Sequence, residues 1–290
     1  MKHFYLIENS RRGKLPGVRK LIEDYVKSHG ADIICAADGE TEHVPDETDC
    51  LIVMGGDGTI MRAAGLTAGT DIPIIGINVG NLGYLTTVSK EDEIIPMLDK
   101  LLDDEYKIEK HCMLSGTWTD EEGEHTAISF NDINISRRAS TAVGMRIYVN
   151  GELLNEYLAD GIIVSTPTGS TAYNLAAGGP IVETSADVMI LTPICPHAFM
   201  ARSVVLGMDN AIKVQIDGEA GTVAETVTEA GTVTEEDSLA EAAFDGVIKG
   251  HLKSGSTIYI TRAKSTIPMI RLEGDSYFKT LRNKMNQIHG

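Results

Sequence analysis

Leu51-Ile-Val-Met-Gly55-Gly56-Asp57-Gly58-Thr59 joins an apolar run to a turn that carries three glycines and one carboxylate. The apolar residues, β-branched members among them, read as the interior of a buried strand. Glycines this dense serve a backbone that takes positive φ or one that a ligand approaches closely. From Thr59, Ile-Met-Arg-Ala-Ala64 continues as a helical pattern, so the amides of a strand-to-helix turn point toward whatever Asp57 faces. That geometry suits a phosphate. No Gly-Lys-Ser/Thr ending follows, which excludes a Walker loop, and Met61 stands where the third glycine of a dinucleotide fingerprint belongs. A carboxylate set against phosphates costs Coulomb energy unless it holds a metal or takes a proton from an attacking hydroxyl, and both roles belong to phosphoryl transfer. The plainer alternative is a tight left-handed turn whose Asp57 caps the helix.

Outward from this turn, residues 3–8 read as a strand and Pro16 to Gly30 as a helix with Val18, Leu21, Ile22, Tyr25 and Val26 on one face. Strands follow at Asp32 to Ala36 and Pro73 to Asn78, and a helical pattern near 89–102 starts late or kinks at Pro96. Alternating β and α elements predict a parallel sheet with its site at one edge. From about Glu105 the pattern turns to short alternating segments, with turns at 119–124 and a hairpin signal at Val149-Asn150-Gly151-Glu152. The expected fold is therefore an α/β N-terminal domain (1–105), a β-rich domain (106–270) and a helical tail (271–290) that packs back on the first domain. Residues 217–245 carry nine acidic and no basic side chains, and Glu219-Ala-Gly-Thr-Val223 recurs as Glu229-Ala-Gly-Thr-Val233. This stretch reads as a solvated loop or protruding hairpin without a catalytic part.

The chain has 290 residues, 42% of them hydrophobic, enough for two ordinary cores. No apolar run of about 18 residues and no signal-like N-terminus is present, so a cytoplasmic protein without a membrane span is expected. The formal charge of −17 argues against nucleic acid or an anionic membrane as partner. Over half of it comes from the acidic stretch. Anionic nucleotides would have to be held locally, by a metal ion, turn amides and arginines such as Arg62 or Arg202. Cys35, Cys50, Cys112 and Cys195 form no metal or disulfide spacing.

A second constellation runs from Asp160 to Pro180: Asp160-Gly-Ile-Ile-Val-Ser165-Thr-Pro-Thr168-Gly-Ser170-Thr171-Ala172-Tyr173-Asn-Leu-Ala176-Ala-Gly178-Gly179-Pro180. Pro167 and Gly169 predict a sharp turn, and Ser170 or Thr171 can cap a following helix. Hydroxyls and helix-start amides together suit a neutral polar edge such as adenine or ribose, although alone the turn assures no function.

Taken together the two blocks resemble the NAD kinase family. Its GGDGT turn stands at 55–59, its N-x-G-x-L-G-[FY]-L segment is Asn78-Val-Gly80-Asn81-Leu-Gly83-Tyr84-Leu85, and its Asn-Glu/Asp pair is Asn131-Asp132. The long DG-x-x-x-[SA]-TPTGSTAY signature is complete from Asp160 to Tyr173, and Thr192-Pro-Ile-Cys-Pro-His197 also matches.

The resemblance implies transfer of the γ-phosphoryl group of ATP, with Mg²⁺ or another divalent cation, to the 2′-hydroxyl of the adenosine ribose of NAD. Asp57 would be the catalytic base. Gly55, Gly56, Gly58 and Thr59 would lie beside the nucleotide, with Tyr84 from the second segment, and Arg62 stands where the family often has a basic residue. Asn131 and Asp132 would bind adenine and ribose. Thr168, Thr171, Ala172 and Tyr173 would line the adenosine pocket, and Asp160 would reach the nicotinamide end. A homodimer or homotetramer is implied too, with polyphosphate as an alternative donor and no residue set of its own for metal. Departures from the family pattern are Leu158 for an arginine two residues before the signature, Asp217-Gly218-Glu219 for a later D-G-Q, and Ala176 for a serine.

Overall fold

The computed structural model describes residues 1–9, 16–79, 83–198, 201–219, 238–274 and 276–287. Two compact units divide the chain, one formed by Met1–His111 with Ser265–Gly290, the other by Cys112–Lys264.

The first unit opens with β1 (His3–Glu8), α1 (Pro16–Ser28), β2 (Asp32–Ala37), β3 (Cys50–Met54), α2 (Asp57–Thr67), β4 (Ile74–Ile77) and α3 (Ile94–Leu102). Its strands pair in parallel in the order β2-β1-β3-β4. All five residues of β3 are buried, which is why the continuous apolar run from Leu51 shows no alternation. α1 ends as its sequence predicts, with Gly30 at φ 75° accepting the left-handed position after the helix. α3 begins only at Ile94, so Pro96 falls in its first turn, where a missing amide proton costs little. Strand order reverses its direction of growth between β1 and β3, and the crevice beyond the carboxyl ends of those strands is where open α/β sheets bind ligands. The β3–α2 turn stands there: Asn9, just past β1, donates its amide N to Met54 O (2.9 Å) and its side-chain Nδ2 to Thr59 Oγ1 (3.0 Å).

The second unit is built from β5 (Tyr106–Asp120), β6 (Gly123–Ser129), β7 (Asp132–Arg137), β8 (Val143–Val149), β9 (Glu152–Ala159), β10 (Gly161–Ser165), α4 (Tyr173–Ala176), β11 (Val188–Ile194), β12 (Val204–Gly207), β13 (Ile212–Glu219), β14 (Ala240–Phe244), β15 (Val247–Leu252) and β16 (Thr257–Leu272). The unit divisions fall inside β5 and β16. One antiparallel sheet runs β12-β11-β10-β7-β14-β15, and β16-β13-β8-β9 pair antiparallel in another group. Their inward residues, among them Ile133, Ile135, Ile162, Val164, Ile212 and Val214, share one core. The β8–β9 hairpin turns on Asn150 (φ 51°) and Gly151 (φ 85°), the positive-φ pair that an Asn-Gly dipeptide predicts.

At the end of the chain, β16 returns to the first unit, where Met269 pairs in parallel with Ile74, and α5 (Tyr277–Gln287) belongs to that unit as well. Of the acidic stretch, residues 220–237 lie outside those described, and so does the side chain of Glu219.

Candidate active site

The candidate residues form two groups, one in each unit. In the first, Asp57 is the first residue of α2, with Gly56 at the N-cap and no side-chain cap hydrogen bond. The helix-capping alternative is thereby set aside. The Asp57 carboxylate faces a different segment: Tyr84 N donates to Oδ2 (3.0 Å) and Leu85 N to Oδ1 (3.1 Å). Each oxygen keeps a lone pair beyond the one used, so the group is oriented but not saturated. Gly83 makes this approach possible, since a Cβ there would collide with the carboxylate, and its amide donates to Thr86 Oγ1 (2.7 Å). Burial and the charge of Asp57 both raise the Tyr84 phenol above its ordinary range.

The glycines of the turn correct one expectation. None of Gly55, Gly56 and Gly58 has positive φ. Gly55 is needed because a Cβ would strike the Thr59 side chain, whereas at Gly58 the nearest atom to a Cβ is Arg62 Nη1 at 3.9 Å. Neither packing nor backbone strain demands glycine at 58. Thr59 is buried, its hydroxyl taken by Asn9. Arg62 forks onto Asp38, with Nε 2.9 Å from Oδ1 and Nη2 on Oδ2. A cation stands near the loop instead: Lys284 Nζ lies 5.4 Å above the centre of the Tyr84 ring.

In the second unit, the Asn131-Asp132 pair and the turn after β10 are built into one another. Thr166 N donates to Asn131 O (2.8 Å), Thr166 Oγ1 donates to Phe130 O (2.7 Å), and Gly169 N donates to Thr166 Oγ1 (3.0 Å). A Cβ on Gly169 would collide with the Asn131 carbonyl, so this glycine answers to packing. Asn174, fully buried, donates Nδ2 to Ser170 O and Pro180 O (both 3.0 Å) and accepts from Thr192 Oγ1 (2.7 Å). It ties the hydroxyl-rich turn to Gly179-Pro180 and to β11.

The predicted cap of the following helix is not formed. Thr168–Thr171 is a 3-10 turn, α4 has only four residues, and Ala172 breaks between them at φ −98°, ψ −126°. The Ser170 hydroxyl is drawn instead to Val182, and Thr171 Oγ1 donates to Thr168 O (3.3 Å). Tyr173 is exposed and lines an open cleft with Arg138, Asp160 and Ile194. Asp160 pairs with Arg137 Nε at 2.7 Å, so a guanidinium from β7 stands beside the signature although Leu158 brings none. Ala176 is exposed at the end of α4.

Asp132 is buried and pushed up to about 6, by burial first and then by the charge of Asp245, with an opposing hydrogen bond from Asn134.

Both blocks fall within matches to family models: residues 20–106 match the ATP-NAD kinase N-terminal domain and residues 131–237 the ATP-NAD kinase C-terminal domain. A relative named NAD kinase from Lachnospira eligens is 37% identical over 303 aligned residues, covering 98% of this chain and 100% of its own. The chain belongs to the NAD kinase family. Two solved structures share its fold. Yeast NADH kinase complexed with NADH aligns at TM-score 0.79 with 20% identity over 99% of this chain and 88% of its own. An NAD kinase from Archaeoglobus fulgidus in complex with ATP aligns at 0.73 with 24% identity over 100% and 99%.

Three residues outside the expected NAD kinase contacts build this region. Thr166 and Asn174 lie inside the quoted block but hold backbone. Asp245 closes the acidic stretch, and Phe244-Asp245-Gly246-Val247 carries the Asp-Gly signal of a tight hairpin. The other Asp-Gly pair, at 217, turns its carboxylate to Arg146 Nε (2.6 Å).

Proposed function

We propose that this chain transfers the γ-phosphoryl group of ATP to the 2′-hydroxyl of the adenosine ribose of NAD, giving NADP. The observation that carries the reading is the Asp57 carboxylate, clamped by the Tyr84 and Leu85 amides and left with acceptor capacity, in a member of the NAD kinase family. A ribose hydroxyl is a poor nucleophile at neutral pH and needs a positioned base. Asp57 would take its proton as the oxygen attacks phosphorus, with ADP leaving. The amides at the start of α2 and the open backbone at Gly58 favour the donor's phosphates. Asn131 and Asp132 would hold adenine and ribose, Thr168, Thr171, Ala172 and Tyr173 would line the adenosine pocket, and Asp160 would meet the nicotinamide end.

Among the described residues no group of three or more acidic, His or Cys side chains could hold a metal by itself. A divalent cation such as Mg²⁺ would come in on the donor's phosphates and keep several waters, with Asp57 kept as the base. Bound there, Mg²⁺ would neutralise charge on the transferring phosphoryl group. Action in the cytoplasm as a homodimer or homotetramer belongs to the same reading. A solution mass of one chain, 31.2 kDa, would remove the oligomer.

The test is a coupled assay for NADP with NAD, ATP and Mg²⁺, repeated with chelator and with lipid or sugar acceptors. NADP formation that stops with chelator supports the proposal. Phosphorylation of a lipid or sugar instead, or tight NAD binding without NADP, would replace it with another GGDG kinase or a sensor.

Asp132 adds a pH dependence. An ionised carboxylate accepts ribose hydroxyls through both oxygens and more strongly than a protonated one, and burial with the charge of Asp245 pushes this group up to about 6. The KM for NAD should therefore rise as pH falls through about 6, while a flat KM between pH 5 and 7.5 would exclude an ionised Asp132 from the contact.

A further inference from the structure

We propose that Asp245, in the turn between β14 and β15, is a positioning residue for dinucleotide binding, because it fixes the backbone on which Asn131 and Asp132 stand. The inference rests on the reading of those two residues as adenosine contacts.

Three successive amides converge on one carboxylate: Phe130 N on Oδ2 (2.8 Å), Asn131 N on Oδ1 (2.7 Å) and Asp132 N on Oδ1 (3.3 Å). Consecutive backbone N–H groups arranged this way make an anion nest, here filled by a side chain of the same chain. Ser129 Oγ lies 2.6 Å from Asp245 Oδ1 and 2.5 Å from Asp132 O, and its one proton serves one of them. Asp245 N in turn donates to Asp132 O (3.0 Å). Asp245 and Gly246 take φ 49° and 80°, the two left-handed positions of a tight hairpin, which aim the carboxylate back across the sheet.

From the opposite side, Thr166 holds the carbonyls of Phe130 and Asn131. The segment 130–132 is thus gripped on its amide side by Asp245 and on its carbonyl side by the signature turn. A side chain borne on this segment inherits its precision from both, and small misplacements of binding groups are expensive.

Asp245 also sets the charge environment of Asp132. Of the other residues paired or hydrogen-bonded with Asp132, Ser165 across the ladder in β10 and Asn134 on its own strand carry no charge. Removing the Asp245 charge should therefore let Asp132 ionise at lower pH, and Asp245→Asn, which keeps the turn, separates this from the loss of burial that a loosened loop would cause.

The experiment measures kcat and the KM for NAD from pH 5 to 8 in wild type, Asp245→Asn and Asp245→Gly, all three checked by thermal unfolding. Asparagine and glycine both accept the left-handed turn, so the hairpin is retained. The expected result is a KM for NAD raised about tenfold or more in each variant, with kcat within about threefold of wild type. In Asp245→Asn the acid limb of KM should also move below its wild-type position near 6. A variant KM and acid limb equal to wild type would overturn the proposal, as would a kcat that falls as far as KM rises. If the wild type forms no NADP at all, the functional reading has failed, and this proposal falls with it. If the wild type forms NADP and the variants match it, only the role of Asp245 is lost.

Discussion

An Asp57→Asn variant is expected to bind NAD with wild-type affinity and to lose about 10²- to 10⁴-fold in kcat. Asparagine keeps the size and one acceptor oxygen of the side chain but cannot take a proton from a ribose hydroxyl. It also turns an NH₂ group toward either Tyr84 N or Leu85 N, so one of the two amide hydrogen bonds is lost. That change costs on the order of 1–3 kcal/mol of local stability, well below what unfolds a domain of this size. The expected signature is thus a small drop in melting temperature, an unchanged Kd for NAD by calorimetry and nearly absent turnover. Wild-type turnover in this variant would remove Asp57 from the chemistry and leave it as a residue that organises the 83–86 segment.

Gly169→Ala is expected to damage the other half of the reaction. Its Cβ would fall on the Asn131 carbonyl, and that carbonyl cannot give way cheaply because Thr166 N holds it at 2.8 Å. Overpacking against fixed backbone destabilises by about 1–3 kcal/mol. Relief by moving the 130–132 segment displaces the side chains of Asn131 and Asp132, so the KM for NAD should rise by about tenfold or more. Steady-state kinetics at varied NAD, together with a melting curve, separate the two effects. A KM equal to wild type in a folded Gly169→Ala protein would show that the position of Asn131 does not govern NAD binding.

These two residues also show where sequence ceases to speak. The strand at 50–54 and the turn after it were legible, because a continuous apolar run followed by glycines has few structural solutions. The same was true of the Asn150-Gly151 hairpin and the signature turn at 165–173. The partners of Asp57 were not legible. They are backbone amides 27 and 28 residues downstream, and an amide leaves no mark in the letter at its position. The glycines at 55, 56 and 58 suggest a strained turn, yet their backbone is ordinary; Gly55 answers to the Thr59 side chain and Gly58 to open space that only the fold defines. Ser170 and Thr171 had the chemistry of helix caps, but the turn is 3-10 and α4 too short to need one, so the Ser170 hydroxyl crosses to Val182. Composition obscures Asp245: it is one of nine acidic residues in its stretch, and only the Asp-Gly dipeptide it begins carries structural information.

The central claim is that Asp57 receives the proton of the 2′-hydroxyl of NAD. It is tested most directly by a crystal structure of the protein with NAD, Mg²⁺ and a non-hydrolysable ATP analogue. A carboxylate oxygen of Asp57 should lie about 2.6–3.2 Å from the adenosine 2′-oxygen, or reach it through one water. A 2′-hydroxyl bonded to some other group, with Asp57 beyond the span of a single bridging water, would contradict it.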